Sequence, residues 1–372
     1  MNGYQTIPQR TYKKENRGFN IVNYGLTNAY PQMVEYAISG CSIADSCCDA
    51  FAEFIEGNGF EDEAFNILVV NSDGQTLSNI LESVANDYAR FGGYALHFNY
   101  NLLGEIVSIH HVPFTYCRLG MPNDKLRSED VKVWDNWASE SIRTNASQAD
   151  IRTYHRYNPK SVLSEIEECD GIGKYKGQIL YWTNQNGFYP KSMIDSCFEQ
   201  TLTFSNIAEF SNSFVKNGFS ASTIFANASE SASDETFERN IEQIQQLSGT
   251  RTAGGIGYLE GDIKSLPVTL NEINKQYEVI KEGSKDDIME RFRIPPVLVS
   301  RSRQGGFPNQ DEIINSFDYY NGVTNKDRLK VSRVFSEIMS NWINPIDSDF
   351  TIQQTTFNST TNGGTTDNTS RF

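Results

Sequence analysis

Apolar residues recur at three- and four-residue steps in two stretches near the start of the chain, and this spacing predicts two helices. The first stretch begins at Tyr30-Pro31 and stops at the glycine-containing turn 57–59. The second covers residues 76–91 and ends at Gly92-Gly93. Residues 1–30 are mostly polar, so we expect an N-terminal arm ahead of these helices.

Alternation of apolar and polar residues predicts a β-rich block after the two helices. Residues 94–100 and 105–112 alternate on either side of the turn 101–104, which is the pattern of a β-hairpin. Residues 119–150 are predicted to form a loop with a short segment around 131–137, and strands are expected at 151–157 and 178–183.

The second half of the chain is dominated by long helices around a small module. Residues 191–216 are apolar nearly all round, which indicates a helix buried on several sides or packed against neighbouring chains. A second long helix is predicted over residues 270–292, with apolar residues along one side. Between the two helices we expect a compact α/β module, with a strand at 222–226, a helix at 234–247 and a strand at 256–259.

A loop with glycine and arginine follows the second long helix and leads to the C-terminal region. A helix is predicted from Gln310 and another over residues 326–342. Of the last 18 residues, 14 are Thr, Asn, Ser or Gly, a bias that is typical of disordered segments. We therefore expect residues 346–372 to form a polar, disordered tail.

The composition is that of a globular protein, and the net charge limits which partners it can bind tightly. A length of 372 residues predicts about two or three compact units. The formal net charge of −15 argues against a protein that grips DNA with its whole surface, because such binding relies on neutralising phosphates. The six cysteines form no CxxC pair and are predicted to lie in the core. With no long apolar stretch, we expect a soluble protein made in the cytosol, with no membrane contact.

Motifs of catalysis are absent from the sequence. No P-loop, GxSxG or HExxH pattern occurs, and two glycine-rich stretches at 171–177 and 255–261 have the third glycine one place too late for a dinucleotide loop. An acidic cluster is compatible with a divalent cation or with a solvated loop, and comprises Glu165, Glu167, Glu168 and Asp170. We expect no enzyme activity, no cofactor and no metal.

Two charge patterns carry more information. Acidic residues repeat every four positions along the second long helix, and two lysines lie on the neighbouring ridge: Glu278, Glu282, Asp286 and Glu290, with Lys281 and Lys285. This pattern fits either an ordinary solvated face or an acidic wall that lines a conduit. Residues 291–310 then carry arginines at 291, 293, 301 and 303 and no acidic residue, as expected of a mobile basic loop or of a plain surface turn.

The order of these elements resembles the portal proteins of tailed double-stranded DNA bacteriophages, in their compact form. The resemblance covers about residues 30–345. Its most specific parts are Phe214-Val-Lys-Asn-Gly218 before a strand, and the helix end Ile288-Met-Glu-Arg-Phe-Arg-Ile-Pro-Pro-Val-Leu298 before a loop. The predicted hairpin at 93–113 is similar to the family pattern as well.

The resemblance implies an α+β portal fold that forms rings, normally of twelve copies, at one capsid vertex. In this fold a mixed α/β wing is followed by two long stem helices that bracket a small α/β clip, and C-terminal helices complete the chain. The implied divisions are an arm (1–30), a wing (31–190), a first stem helix (191–216), a clip (217–269), a second stem helix (270–292), a tunnel loop (293–310), C-terminal wing or crown helices (311–345) and a tail (346–372).

The implied function is a conduit for DNA packaging and ejection that docks the terminase large subunit and later a head–tail adaptor or neck protein. The major capsid protein and double-stranded DNA, passing without sequence preference, are the other implied partners. The location is the virion, with the host cytoplasm during assembly. The implied DNA-contacting residues are Arg301, Arg303, Gln304 and Asn309, and the acidic and basic residues of the second long helix would line the channel. Contacts between subunits are expected from Phe198, Leu202, Ile207, Phe210, Phe214, Ile273, Tyr277 and Ile280.

Two other functions fit parts of the sequence. Another ring-forming virion protein, such as a head–tail adaptor, would lack the paired long helices around a small module. A metal-dependent nuclease would use the acidic cluster at residues 165–170 and would cleave plasmid DNA with Mg²⁺ or Mn²⁺.

Overall fold

The computed structural model describes residues 15–16, 19–25, 27–124, 127–137, 150–185, 187–216, 223–227, 256–260, 270–299 and 309–357. The helices within these ranges are α1 (Tyr30–Ser39), α2 (Ser42–Glu56), α3 (Glu63–Asn66), α4 (Leu77–Phe91), α5 (Val162–Glu168), α6 (Phe198–Lys216), α7 (Leu270–Phe292), α8 (Pro296–Val299) and α9 (Gln310–Met339). The strands are β1 (Glu15–Asn16), β2 (Ile21–Val22), β3 (Gly93–Tyr100), β4 (Ile106–Val112), β5 (Cys117–Leu119), β6 (Asp130–Val133), β7 (Arg152–Arg156), β8 (Gln178–Thr183), β9 (Thr223–Asn227) and β10 (Ile256–Glu260).

A mixed sheet forms the centre of the first half of the chain. Within the described residues its strand order is β4-β3-β8-β7-β6-β5, and the β7–β8 pair is parallel while the other neighbours are antiparallel. Helix α4 packs on β3 and β4, and α2 packs on α4. The predicted hairpin and the α+β fold class are therefore confirmed.

Helix α4 illustrates how local signals fix an element. Thr76 and Asn79 form a capping box, in which each side chain accepts a hydrogen bond from the other residue's main-chain N–H. The helix ends at Gly92, whose φ of +74° is the left-handed conformation that glycine adopts without strain. A Cβ at Gly92 would lie 2.4 Å from the main-chain oxygen of Lys191, so the site also demands glycine for space.

The single helix predicted from Tyr30 to the turn at 57–59 is wrong, because the chain breaks into α1 and α2 at Gly40-Cys41. Cys41 is extended, with φ −126° and ψ 102°. Helix α6 crosses at this point, and a Cβ at Gly40 would lie 3.0 Å from Ser205 Oγ. The break is thus a tertiary effect that local periodicity does not encode.

The predicted N-terminal arm, residues 1–30, is packed against the rest of the chain in its second half. Ile21, Val22 and Tyr24 are buried, and Ile21 forms a bridge to Gly120 beside β5. The buried guanidinium of Arg118 fixes this segment, since its five N–H groups donate to oxygens of Asn28, Gln32, Thr115 and Cys117. Burial lowers the pKa of Arg118, whose neighbours are neutral acceptors and aromatic rings. Residues 1–14 lie outside the described part of the chain.

The C-terminal region corrects two further predictions. Residues 310–339 form one continuous helix, α9, instead of two. The predicted tail from 346 begins with a packed strap, residues 350–355, in which Phe350 and Ile352 are buried and Ile352 bridges Phe60. Residues 358–372 are outside the described ranges.

The remaining elements agree with the sequence in part. Helix α7 has the predicted bounds, whereas the helix predicted from 191 begins at Phe198, after a short 3₁₀ turn at Met193–Ser196. In the 217–269 module, the structure describes the parallel pair β9–β10, and the predicted helix at 234–247 lies outside the described residues. The cysteines are buried as predicted, except Cys169, which is half-buried. None of the described helices is both long and apolar enough to cross a membrane.

Candidate channel surface and subunit interface

Helices α6 and α7 pack against each other as an antiparallel hairpin. The rings of Phe210 and Tyr277 lie 4.8 Å apart, and the ammonium of Lys281 sits 5.2 Å from the ring of Phe204. A cation over an aromatic face is attracted by the ring quadrupole, so Lys281 is drawn toward α6. Two aromatic contacts, six residues apart on α6, therefore help to hold the two helices together.

The base of the hairpin is anchored to the body of the protein. Arg291 Nε donates a hydrogen bond of 2.7 Å to the main-chain oxygen of Met193, in the turn that precedes α6. Ile288 and Phe292 are fully buried, and Tyr320 of α9 donates to the main-chain oxygen of Phe292. Arg291, which the sequence grouped with the basic loop, is thus a structural residue.

The acidic repeat lies on the surface of α7. Each carboxylate of the repeat is exposed: Glu278, Glu282, Asp286 and Glu290. Lys285 Nζ lies 3.7 Å from Glu282 Oε2, a weak exposed ion pair. Asp287, which the four-residue spacing does not include, is exposed as well and adds to this acidic face.

The predicted tunnel loop is anchored at both ends. Ile294 is buried, α8 follows at once, and α9 begins after Asn309. Arg293 is exposed at φ +53°, between α7 and α8. Arg301, Arg303 and Gln304 lie outside the described residues. Asn309 is the N-cap of α9, and its Oδ1 accepts a hydrogen bond of 2.7 Å from the N–H of Asp311. The cap fixes the side chain of Asn309 at the start of α9, and its contact with DNA stays a prediction.

The residues predicted to contact other subunits fall into separate groups. Phe198 and Ile207 are buried within their own chain, with 4% and 8% exposure, so they stabilise the single subunit. Leu202, Phe210 and Tyr277 are half-buried, and Ile280 is 46% exposed. The side chains of Phe214 and Ile273 lie outside the described part. The sequence missed Val279 and Val215, which are 73% and 54% exposed.

In the acidic cluster at residues 165–170, the first residue, Glu165, has a structural role. Glu165 accepts hydrogen bonds from Ser161 Oγ, Tyr175 Oη and Gln178 Nε2, at 2.6, 2.6 and 2.9 Å. This contact network joins α5 to β8. Among the described residues, no group of three or more His, Cys, Asp or Glu side chains is arranged to hold a metal ion.

The family model for phage portal proteins matches residues 61–320 of the chain. The chain belongs to this family. Portal proteins are structural virion components of the head–tail connector, so the predictions of a portal fold and of a non-enzymatic role are confirmed. Domain boundaries and the roles of individual site residues stay predictions.

Solved structures agree on the fold at low sequence identity. A virion of a native gene transfer agent (GTA) particle contains a chain with 14% identity and a TM-score of 0.51, over 84% of this chain and 80% of that chain. The neck of an empty GTA particle gives 12% identity and a TM-score of 0.52, over 87% and 83%. The neck of a native GTA particle gives 13% identity and a TM-score of 0.50, over 84% and 80%. No curated protein matches the chain.

Proposed function

We propose that the chain assembles head to tail into a closed ring at one capsid vertex, and that the ring is the conduit for double-stranded DNA during packaging and ejection. The observation that carries the proposal is the α6–α7 hairpin. It leaves Val279 and Ile280 exposed beside acidic residues of α7, and a neighbouring subunit in a ring would cover these two apolar side chains. The neck of a native GTA particle, similar in fold, was computed with C12 symmetry, which supports a ring of twelve copies, and the C6 symmetry of the empty neck is compatible with that number.

Acidic helices suit the wall of such a conduit. Phosphate contacts dominate DNA affinity, so a wall that carries Glu278, Glu282, Asp286 and Glu290 does not hold the passing duplex. Arg301, Arg303 and Gln304 would contact the backbone from the loop before α9. Phosphate contacts carry no base information, so the DNA passes without sequence preference.

The partners follow from the same assignment. The module at 217–269 lies between the two stem helices and is the proposed docking site of the terminase large subunit and then of the head–tail adaptor or neck protein. The wing, residues 31–190 with 311–345, would contact the major capsid protein. The ring would form in the host cytoplasm and remain in the virion.

Imaging of the purified protein tests the proposal. Negative-stain particles should be rings with a central hole, and the mass in solution should correspond to about twelve chains of 42.0 kDa. A protein that stays monomeric at the concentrations used for imaging contradicts the proposal.

A further inference from the structure

Three leucines lie exposed together at one end of the central sheet. Leu102 and Leu103 occupy the β3–β4 turn and are 68% and 74% exposed, and Leu163 on α5 is 52% exposed. The turn and the helix touch, because a Cβ at Gly104 would lie 3.3 Å from Leu163 Cδ2. We call Leu102, Leu103 and Leu163 the leucine patch. Exposed apolar side chains that lie near one another are candidates for a docking site.

The leucine patch is bordered by negative charge. Glu167 lies one turn after Leu163 on α5, and Glu168 follows it, both exposed. Neither forms an ion pair with any residue that the structure describes. Glu105, at the end of the turn, accepts a hydrogen bond of 2.7 Å from Asn101 Nδ2 and adds a third carboxylate. A partner that matches this surface carries apolar side chains together with cations.

Residues 1–14 of the chain have this chemistry. They contain no acidic residue, and their apolar and basic members are Met1, Tyr4, Ile7, Tyr12, Arg10, Lys13 and Lys14. The segment leaves the described structure at β1, whose partner β2 is bridged to Gly120 next to β5. Since β5 and β4 are the two edges of the sheet, the segment starts on the side opposite to the β3–β4 hairpin.

We propose that residues 1–14 of one subunit dock on the leucine patch of the neighbouring subunit. This inference rests on the proposed ring, because a head-to-tail ring brings one side of each subunit against the opposite side of the next. The reach is sufficient: 14 residues in extended conformation span at most about 48 Å, and the sheet is only about 24 Å wide from β5 to β4. Such a link would tie each subunit to its neighbour at the wing, independently of the α6–α7 hairpin.

Disulfide trapping in the full-length protein tests the link. The variant Tyr12→Cys with Leu103→Cys, in a Cys169→Ser background, is exposed to a mild oxidant and run on a non-reducing gel. The matched control pairs Tyr12→Cys with Tyr36→Cys, since Tyr36 is 71% exposed against 74% for Leu103. Tyr36 lies on α1, which contacts Arg118 of β5 through Gln32, and so lies on the side where the segment starts. A segment that moves freely would therefore react with Tyr36→Cys at least as often.

The expected result is a ladder of covalent dimers, trimers and higher species for the Leu103 pair, and little product for the Tyr36 pair. Crosslinks confined within single chains, or equal yields from the two pairs, overturn the proposal. Reversal of charge at Glu167→Lys and Glu168→Lys should lower the ladder yield about threefold, and Lys13→Glu with Lys14→Glu in the same protein should restore it. Ring formation is followed separately by imaging, so rings without a ladder reject this inference alone, and a failure to form rings rejects the proposed function.

Discussion

The guanidinium of Arg328 donates a hydrogen bond of 2.7 Å to the main-chain oxygen of Phe54, and this contact joins α9 to the last turn of α2. The last carbonyls of a helix have no partner within it and carry its negative end. Arg328 is 3% exposed, so the charge acts in an environment with little solvent screening. Its Nη2 also donates to the main-chain oxygen of Asn321, two helical turns earlier on α9.

Replacement of Arg328 by Met should therefore destabilise the subunit. The methionine keeps the volume but leaves the Phe54 carbonyl without its charged donor, which costs about 2–3 kcal/mol of unfolding free energy. Arg333→Met, at an exposed position of the same helix, is the control and should change stability by less than about 0.5 kcal/mol. Urea denaturation followed by tryptophan fluorescence measures both. Similar losses in the two variants would refute the role of the Phe54 contact.

Gly57→Ala should release the C-terminal strap. Gly57 has φ +61°, and a Cβ there would lie 1.8 Å from the main-chain oxygen of Gln353, so backbone must move. We expect a loss of about 2–4 kcal/mol and faster proteolysis near residue 353. Gly74→Ala is the matched control, because Gly74 has φ +77° and open space around it, and only backbone strain of about 1 kcal/mol applies. Equal effects in the two variants would mean that the strap does not need glycine at 57.

Stability should fall as pH rises toward neutrality because of Glu56. Burial, together with the charges of Glu82 and Glu53, raises the pKa of Glu56 to about 7. The folded chain then retains a proton that the unfolded chain, with an ordinary glutamate pKa of about 4.3, releases, so the stability contributed by protonation is lost between about pH 4.5 and 7. Glu56→Gln should raise the melting temperature at pH 8 by about 1–3 °C and change it little at pH 4.5. Equal melting temperatures of the unmodified protein and Glu56→Gln at pH 8 would contradict the prediction.

Charge placed on the hairpin should prevent ring assembly. Val279→Asp combined with Ile280→Asp puts two carboxylates where the proposed neighbour packs, and we expect a shift from rings to monomers by light scattering. Ile67→Asp, at a 68% exposed apolar position after α3, is the control and should leave rings intact. Circular dichroism verifies that the subunits remain folded. Rings that persist in the double variant would show that this part of α7 is not an interface.

The loop arginines should matter for DNA and not for assembly. Arg301→Ala with Arg303→Ala removes two proposed phosphate contacts, and we expect normal rings with impaired packaging or retention of DNA. Arg333→Ala removes an exposed arginine far from the loop and serves as the control. Nuclease protection of packaged DNA is the measurement, and full protection in the loop variant would contradict the proposed contacts.

The sequence predicts a helix closely where capping residues, glycine or proline next to the helix determine its ends. Helix α7 stops where Pro295 and Pro296 follow, and α4 has its capping box and its terminal glycine, so both were predicted closely. The break at Gly40 lies where α6 packs close, with Ser205 Oγ 3.0 Å from a Cβ placed there, and a contact so distant in sequence leaves no sign in local periodicity. The burial of Phe350 could not be predicted from its polar sequence neighbours, because the rings that it packs against, Phe60 and Phe65, come from the other end of the chain.

The candidate surface was predicted less completely than the fold. A four-residue repeat identifies a helix face, and the exposure of the acidic residues of α7 agrees with it. Periodicity does not say which apolar residues a partner helix covers. Phe198, predicted to contact another subunit, is buried in its own chain, and the exposed Val279 is not among the predicted contacts. Asn309 falls within the predicted loop, and the structure adds that it caps α9.

The continuity of α9 has a mechanical consequence. A helix of 30 residues is about 45 Å long, and this one runs without interruption from Asn309, where the arginine loop ends, to Met339, just before Trp342 bridges Ile106 at the start of β4. Two shorter helices would absorb a displacement at their joint. A single continuous helix transmits the displacement. A movement of the loop at the N-terminus of α9 would therefore shift the whole helix against the edge strand β4.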